Sequence, residues 1–329
     1  MLFLREYLPL PLSTLILMLT RIAVIDLGTN TFNLLIAEYS GKDTFKILVD
    51  NKLPVKLGEG GIQHGIILDQ ARVRAFDALS RHMKTIEENK TDTILAFGTS
   101  ALRTSRNGAD FAKEIQSHFG FNVEIISGER EAELIYKGIS LSVKLDEKPN
   151  LILDIGGGSN EFILCNATGI HWKESYPLGM ARILEKFKPS DPVLPTEVEK
   201  MEDYFDRNLP GLYHALSRHH TRTLVGASGS FETFAALLSE LYPLKYARKP
   251  GQTCLEIQIE DFFLLHEKLI KSNSYERLQM KGMDPMRVDM IVPASIFVTF
   301  IMKKFSIKKL VQSDYSLKEG VLHEQMLID

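Results

Sequence analysis

The chain is poor in the residues that would place it in several functional classes. It carries two cysteines, Cys165 and Cys254, in 329 residues. They stand far apart without zinc-site spacing, and no histidine cluster offers other ligands. Both read as reduced core thiols of a cytoplasmic protein. Basic charge is not in excess: 39 lysines and arginines meet 42 acids, a formal net charge of −3. A nucleic-acid partner, which calls for a dominant basic balance, is not expected. A local basic strip for a polyanion remains compatible with that balance. No apolar run reaches the ~20 residues of a membrane helix, so no membrane partner is expected. The opening MLFLREYLPLPLSTLILMLT comes nearest, but Pro9, Pro11 and polar residues interrupt it. It also lacks the small-residue cleavage site of a signal peptide. Residues 1–18 are read as a loose or non-native extension, with Met18 just ahead of the first strand.

What the chain does have is enough apolar material, 44% of its residues, to build about two domains. Arg21–Asp26 (RIAVID) is a compact apolar strand. It turns at Gly28 and returns as Phe32–Ala37; Thr44–Leu57 reads as a third strand. Asp69 opens a helix carrying Val73, Phe76, Leu79, Met83 and Ile86 at helical spacing. Strand Thr93–Phe97, a helix stopped by Gly120, strand Val123–Ile126 and a helix from about Gly128 follow. The opening then recurs: strand Leu151–Asp154, a turn at Gly156–Gly158, and a returning strand Glu161–Cys165. Recurrence at one domain's length points to internal duplication, with halves at 19–135 and 136–329. Mixed hairpins and helices in each half indicate α/β layers. A long apolar helix is expected over Met286–Phe300, kinked near Pro293.

Five constellations carry chemistry. Asp26, Gly28, Thr29, Asn30 and Thr31 form a tight turn whose amides and hydroxyls can cradle phosphate, with Asp26 a metal or metal-water ligand. An ordinary Asp-Gly hairpin would look similar. Asp154–Glu161 (DIGGGSNE) is sharper. Its three consecutive glycines cost backbone entropy, which the close approach of a ligand explains better than structure alone. Gly156, Gly157, Gly158 and Ser159 are therefore candidate phosphate ligands, and Asp154 and Glu161 candidate metal ligands. Val225–Ser230 (VGASGS) is a third glycine turn, entering a helix whose first amides favour an anion; Gly226, Ser228, Gly229 and Ser230 are its candidates. Ser127–Leu134 (SGEREAEL) is either a solvated helix face or the source of a general base, with Glu129, Glu131 and Glu133 in competition. Gly98–Arg103 (GTSALR) follows a strand, and Arg103 is either a bidentate phosphate ligand or a solvated loop arginine.

In their order, DLGTNTFNLLIA, GTSALR, SGEREAEL, DIGGGSNE, YPLGMAR, GASGSFE and YSLKEG resemble the exopolyphosphatase and guanosine pentaphosphate phosphohydrolase (Ppx/GppA) family. The likeness runs from Arg21 to Gly320, in the family's short two-domain form. It implies two ribonuclease-H-like domains of the actin-like ATPase superfamily flanking an interdomain cleft. It also implies that the catalytic glutamate is the one before alanine, Glu131, and that the metal-site acids are Asp154 and Glu161. Gly28–Thr31 and Gly156–Ser159 then match the family's phosphate loops, and Arg103 its phosphate arginine. Three positions depart from the family pattern: Asn33 replaces a common basic residue, MIVPAS follows Arg287–Asp289, and Lys318 replaces an arginine.

The resemblance implies exopolyphosphatase activity. Glu131 would activate water, and Mg2+ or another divalent cation would offset charge on the transferring phosphoryl group. The expected partner is inorganic polyphosphate or guanosine pentaphosphate, and a homodimer is allowed. Lys303, Lys304, Lys308 and Lys309 are candidates for a basic strip along a long substrate, or a solvated helix end. Two other readings stand beside this one. The first is an ATP-dependent kinase or ATPase, which the glycine turns alone permit. The second is a non-catalytic binder of guanosine tetraphosphate or polyphosphate.

Overall fold

The computed structural model describes residues 19–41 and 44–328. The expected N-terminal extension, residues 1–18, lies outside them. The first apolar strand, β1 (Thr20–Leu27), pairs antiparallel with β2 (Thr31–Tyr39), and β2 with β3 (Phe45–Pro54). After helix α1 (Asp69–Glu88), β4 (Thr93–Gly98) joins the other edge of β1 in parallel. Helices α2 (Ser100–Thr104) and α3 (Gly108–Phe119) lead to β5 (Val123–Ile125). The five strands form one sheet in the order β3-β2-β1-β4-β5. Helix α3 stops where expected, because Gly120 adopts the left-handed conformation that caps helix ends.

After α4 (Gly128–Ser142) the design repeats. Strands β6 (Asn150–Ile155), β7 (Asn160–Asn166) and β8 (Gly169–Tyr176) form a second antiparallel meander. Helices α5 (Met180–Phe187), α6 (Pro195–Arg207) and α7 (Pro210–Arg218) cover it. Strand β9 (Thr223–Ala227) then joins β6 in parallel. Helix α8 (Ser228–Leu241), strand β10 (Cys254–Ile257) and helices α9 (Ile259–Lys271), α10 (Ser274–Leu278) and α11 (Ile291–Lys304) follow. Strand β11 (Lys309–Ser313) and helix α12 (Leu317–Ile328) end the chain. The second sheet runs β10-β11-β9-β6-β7-β8. Both sheets share a meander, then parallel strands on the far side of its first strand. This is the duplicated ribonuclease-H-like architecture that the sequence resemblance implies.

Helices α4 and α12 lie between the sheets. Their apolar faces join Val24 and Leu35 of the first sheet to Ile152, Ile163 and Val225 of the second in one buried core. Two further cores lie on the outer faces, under α1 and α3 and under α5–α9 with α11. The central helices cross with backbones in contact: a Cβ on Gly320 would lie 1.8 Å from the Leu134 carbonyl oxygen. Helix α4 packs on β7 and β8, whereas α12 returns to β1 and β2. A division of the chain at 135/136 thus passes through a helix, and the last helix covers the first sheet.

The expected helix over Met286–Phe300 begins later, at Ile291, after a short 3-10 turn at Pro285–Arg287. Pro293 then falls in the first turn, where its missing N–H needs no partner, and no kink is required. Cys165 is buried and Cys254 half-buried, and both are free thiols. Among the described residues no helix is long and apolar enough to cross a membrane.

Candidate active site

Each sheet presents an acid where its first hairpin turns. Asp26, at the end of β1, faces Asn33 across the ladder, and Asp154, at the same place on β6, faces Glu161. Directly opposed residues share a sheet face. The repeat therefore sets Asp26 and Asn33 against Asp154 and Glu161 on the walls of one cleft, with Glu131 beside them.

These carboxylates sit in different settings. Asp26 accepts a hydrogen bond from Asn33 at 2.8 Å on one oxygen, while the other, Oδ1, is buried without a partner. Burial and the nearby charges of Asp154 and Glu319 push its pKa up to about 6, against the pull of Asn33 and Lys318. Asp154 accepts from the hydroxyls of Ser228 at 2.6 Å and Ser316 at 2.5 Å. Burial nonetheless raises its pKa. Glu161 takes both Ser159 (2.6 Å) and Ser175 (2.7 Å) on Oε1. Burial, then Asp154, push its pKa up to about 7 against the pull of those hydroxyls. Glu131 is raised well above the usual carboxylate range by burial and by Glu161, with Arg103 opposing.

A divalent cation fits this setting. Asp26, Asp154 and Glu161 are buried with raised pKa values, Asp26 keeps an orphaned carboxylate oxygen, and none of the three forms a salt bridge with a described residue. Among the described residues no three acids, imidazoles or thiols form a ready-made metal cage. Magnesium needs none, since it takes one or two carboxylates and completes its shell with water and phosphate oxygens.

Glu131 lies in the first turn of α4, whose N-cap, Ser127, accepts from the Arg130 amide at 3.1 Å. A carboxylate is favoured at that end of a helix. Arg103, in α2, donates from Nη1 to Glu131 Oε2 at 2.8 Å and to the Ile126 carbonyl at 3.0 Å. Its Nη2 reaches Ser159 Oγ at 3.5 Å, the outer limit of a hydrogen bond. Arg103 thus links helix α4 to the second glycine loop. Glu129 and Glu133 do not line the cleft; Glu133 pairs instead with Lys173 at 2.5 Å.

The two glycine loops touch. A Cβ on Gly158 would stand 2.4 Å from Thr29 Oγ1 and 2.6 Å from Ser100 Oγ. Only a glycine allows that approach. Gly28, Thr29, Asn30 and Thr31 line the cleft with Gly156, Gly157, Gly158 and Ser159. The third turn divides. Ser228 and Gly229 line the cleft, and Ser228 holds a left-handed φ of 70° while it donates to Asp154. Gly226 and Ser230, expected as phosphate ligands, are placed elsewhere. A Cβ on Gly226 would lie 2.1 Å from the Phe231 ring, so ring packing explains that glycine. The Ser230 hydroxyl is fully buried in α8 and has no partner.

The expected lysine strip is not at the cleft. Lys304 pairs with Asp206 at 2.6 Å and Lys309 with Glu256 at 3.3 Å, and neither they nor Lys303 and Lys308 line it. The cations that do, among the described residues, are Lys52, Arg287 and Lys318. Arg287 is buried, with Nε unpartnered. Residues of YSLKEG also enter the site: Ser316 bonds Asp154, and Glu319 accepts from the Ser316 amide at 2.8 Å. The order of motifs marked that segment, but nothing in its composition assigned it a role.

The Ppx/GppA phosphatase family profile matches residues 35–328. The chain belongs to that family. A bifunctional 3-dehydroquinate synthase/phosphatase from Fusobacterium nucleatum is 32% identical over 314 residues, covering 92% of this chain and 46% of the relative. The chain therefore spans under half the length of that two-activity protein. The crystal structure of an exopolyphosphatase from Cytophaga hutchinsonii superimposes with a TM-score of 0.89 at 37% identity, covering 93% of this Ppx/GppA chain and 98% of that one. An Aquifex aeolicus family member shares the fold, with a TM-score of 0.75 at 24% identity over 94% of this chain and 98% of its own. Membership makes the protein a phosphatase-type hydrolase with an exopolyphosphatase-like fold.

Proposed function

We propose that the protein hydrolyses the terminal phosphoanhydride bond of inorganic polyphosphate and releases orthophosphate. The observation that carries this reading is the position of Glu131. It is a buried carboxylate in the same cleft as the glycine loops and as Asp154 and Glu161. Thr29, Asn30, Thr31 and the amides of Gly156–Ser159 hold the terminal phosphoryl group. A divalent cation, magnesium by preference, would be held through Asp154, Glu161 and Asp26, and would supply charge offset at that group. Glu131 orients a water and takes its proton, and its raised proton affinity suits a base working near neutral pH. Arg103 keeps the carboxylate aimed. Positioning and charge stabilisation provide the rest of the rate gain.

The test is phosphate release with magnesium from polyphosphate and guanosine pentaphosphate side by side, in wild type and Glu131→Gln. Wild type is expected to release phosphate from polyphosphate. The variant should fall by roughly 10²–10⁴, with its melting temperature retained. Unchanged turnover in the variant removes Glu131 from the role of base. Release from guanosine pentaphosphate alone moves the substrate assignment to that nucleotide.

A further inference from the structure

Two ion pairs at the cleft have no part in the chemistry above. Lys52, on β3, donates to Glu232, on α8, and so joins the two sheet layers. Lys318, near the start of α12, donates to Asp50, two residues before Lys52 on β3. All four line the cleft that holds Asp26, Asp154 and Glu161. Asp50, Lys52 and Glu232 also line an adjoining surface pocket with Arg248 and Asp314, so they stand where the cleft opens outward.

The cleft's lining holds more acids than cations. A polyanion entering it meets net repulsion unless its phosphates behind the reacting one find positive partners. Arg287 is buried against Gly229, deep in the site. Lys52 is the cation at the mouth, and Lys318, 12% exposed, pairs with the mouth residue Asp50. Burial disfavours charge on Lys318, but Glu319 and Asp50 outweigh it, and its pKa rises. It carries its charge across the physiological range. Both acid partners are more exposed than their lysines: Glu232 and Asp50 show 36% and 44% of their side chains to solvent, against 26% and 12% for Lys52 and Lys318. An exposed carboxylate regains water when it is displaced, so the exchange costs little.

Resting on the polyphosphate reading, we propose that Lys52 and Lys318 form the subsite for the phosphates behind the one cleaved. Glu232 and Asp50 are built-in competitors that occupy those lysines until a polyanion displaces them. Displacing two carboxylates at once needs an anion with several linked charges, which discriminates against orthophosphate and other short anions. The competitor role fixes opposite signs for the two members of each pair. Loss of a lysine removes a ligand for substrate, whereas loss of an acid unmasks one. A brace holding the two sheet layers together gives the same sign for both.

The experiment measures binding of a fluorescently labelled polyphosphate chain by anisotropy, using the full chain as wild type, Lys52→Met, Lys318→Met, Glu232→Gln and Asp50→Asn. The lysine variants should bind roughly tenfold more weakly and the acid variants several-fold more tightly. If a methionine variant does not fold, Lys52→Arg and Lys318→Arg replace it, and these should retain binding within about threefold of wild type. Weaker binding in both members of a pair, or no change in either, overturns the proposal, as does a wild type that binds no polyphosphate. Phosphate release is read in parallel. Binding with the expected signs but no release overturns the hydrolytic function and leaves the subsite standing. Release with unmoved affinities overturns the subsite alone.

Discussion

Arg103 Nη1 donates to Glu131 Oε2 at 2.8 Å, and this cation is the principal group holding down the proton affinity of a glutamate that burial and Glu161 push up. Replacing Arg103 with Met removes the opposing charge while keeping the side chain's bulk. The Glu131 pKa then rises further, so the acidic limb of the pH–rate profile should move to higher pH. Activity at neutral pH should fall by roughly 10- to 100-fold. A profile that loses height without shifting would make Arg103 a substrate ligand only.

Two glycines that look alike in sequence should behave in opposite ways. Gly226→Ala drives a methyl into the Phe231 ring, 2.1 Å from its ideal position. It should cost about 1–3 kcal/mol of stability by overpacking, with KM unchanged at temperatures where the protein stays folded. Gly158→Ala sets a methyl against Thr29 and Ser100 at the joint of the loops. It should depress kcat/KM strongly with a smaller change in melting temperature. Thermal melts and kinetics on both variants check the contrast.

That contrast shows where sequence reasoning stops. The strand–turn–strand repeat was legible because Asp26 and Asp154 each end an apolar strand before a glycine turn. The choice of Glu131 came from motif order, since the SGEREAEL composition left three glutamates in competition. GASGS read as a phosphate loop throughout, yet half of it serves the core, because spacing does not record that Phe231 folds back over Gly226. The lysines at 303, 304, 308 and 309 read as a strip because they cluster. Their location depends on which end of α11 and β11 approaches the cleft, and that follows from packing, not from local pattern. Asp50 and Lys52 are neighbours on β3, but Glu232 on α8 and Lys318 on α12 lie far from them in sequence, and only the packing of those two helices brings the four together.

Arg182, within the YPLGMAR motif, clasps the two halves. It donates from Nε to the Gly158 carbonyl at 2.8 Å, from Nη1 to the Ile62 carbonyl at 3.0 Å and from Nη2 to Thr104 Oγ1 at 2.8 Å. All three acceptors depend on a planar five-donor fork that lysine cannot copy. Arg182→Met should lower stability by about 2–4 kcal/mol and raise KM as the loops part. Arg182→Lys should recover only part of either effect. Urea melts and steady-state kinetics decide it, and unaltered values for Arg182→Met would remove the clasp.

Away from the cleft, His266 makes an acid-sensitive point in the second core. It is buried on α9, with Nδ1 3.0 Å from Ser295 Oγ, and burial lowers its pKa from 6.5 to about 4. The unfolded chain takes up a proton below about pH 6.5, while the folded chain refuses it until about pH 4. Folding stability tied to this residue is therefore complete above that window and is lost as pH falls through it. The loss is about 1.4 kcal/mol for each pH unit inside the window. The raised carboxyls work the other way. Asp26, at about 6, and Glu161 bind protons more readily folded than unfolded, so acidification relieves their burial and partly masks the histidine. A comparison with His266→Met separates the two, since the carboxyl contributions are common to both proteins. Between pH 7 and pH 4.5 the wild type should lose on the order of 2 kcal/mol more than the variant, measured by denaturant melts across that range. Parallel pH dependences in the two proteins would mean that the ring is charged in the folded core.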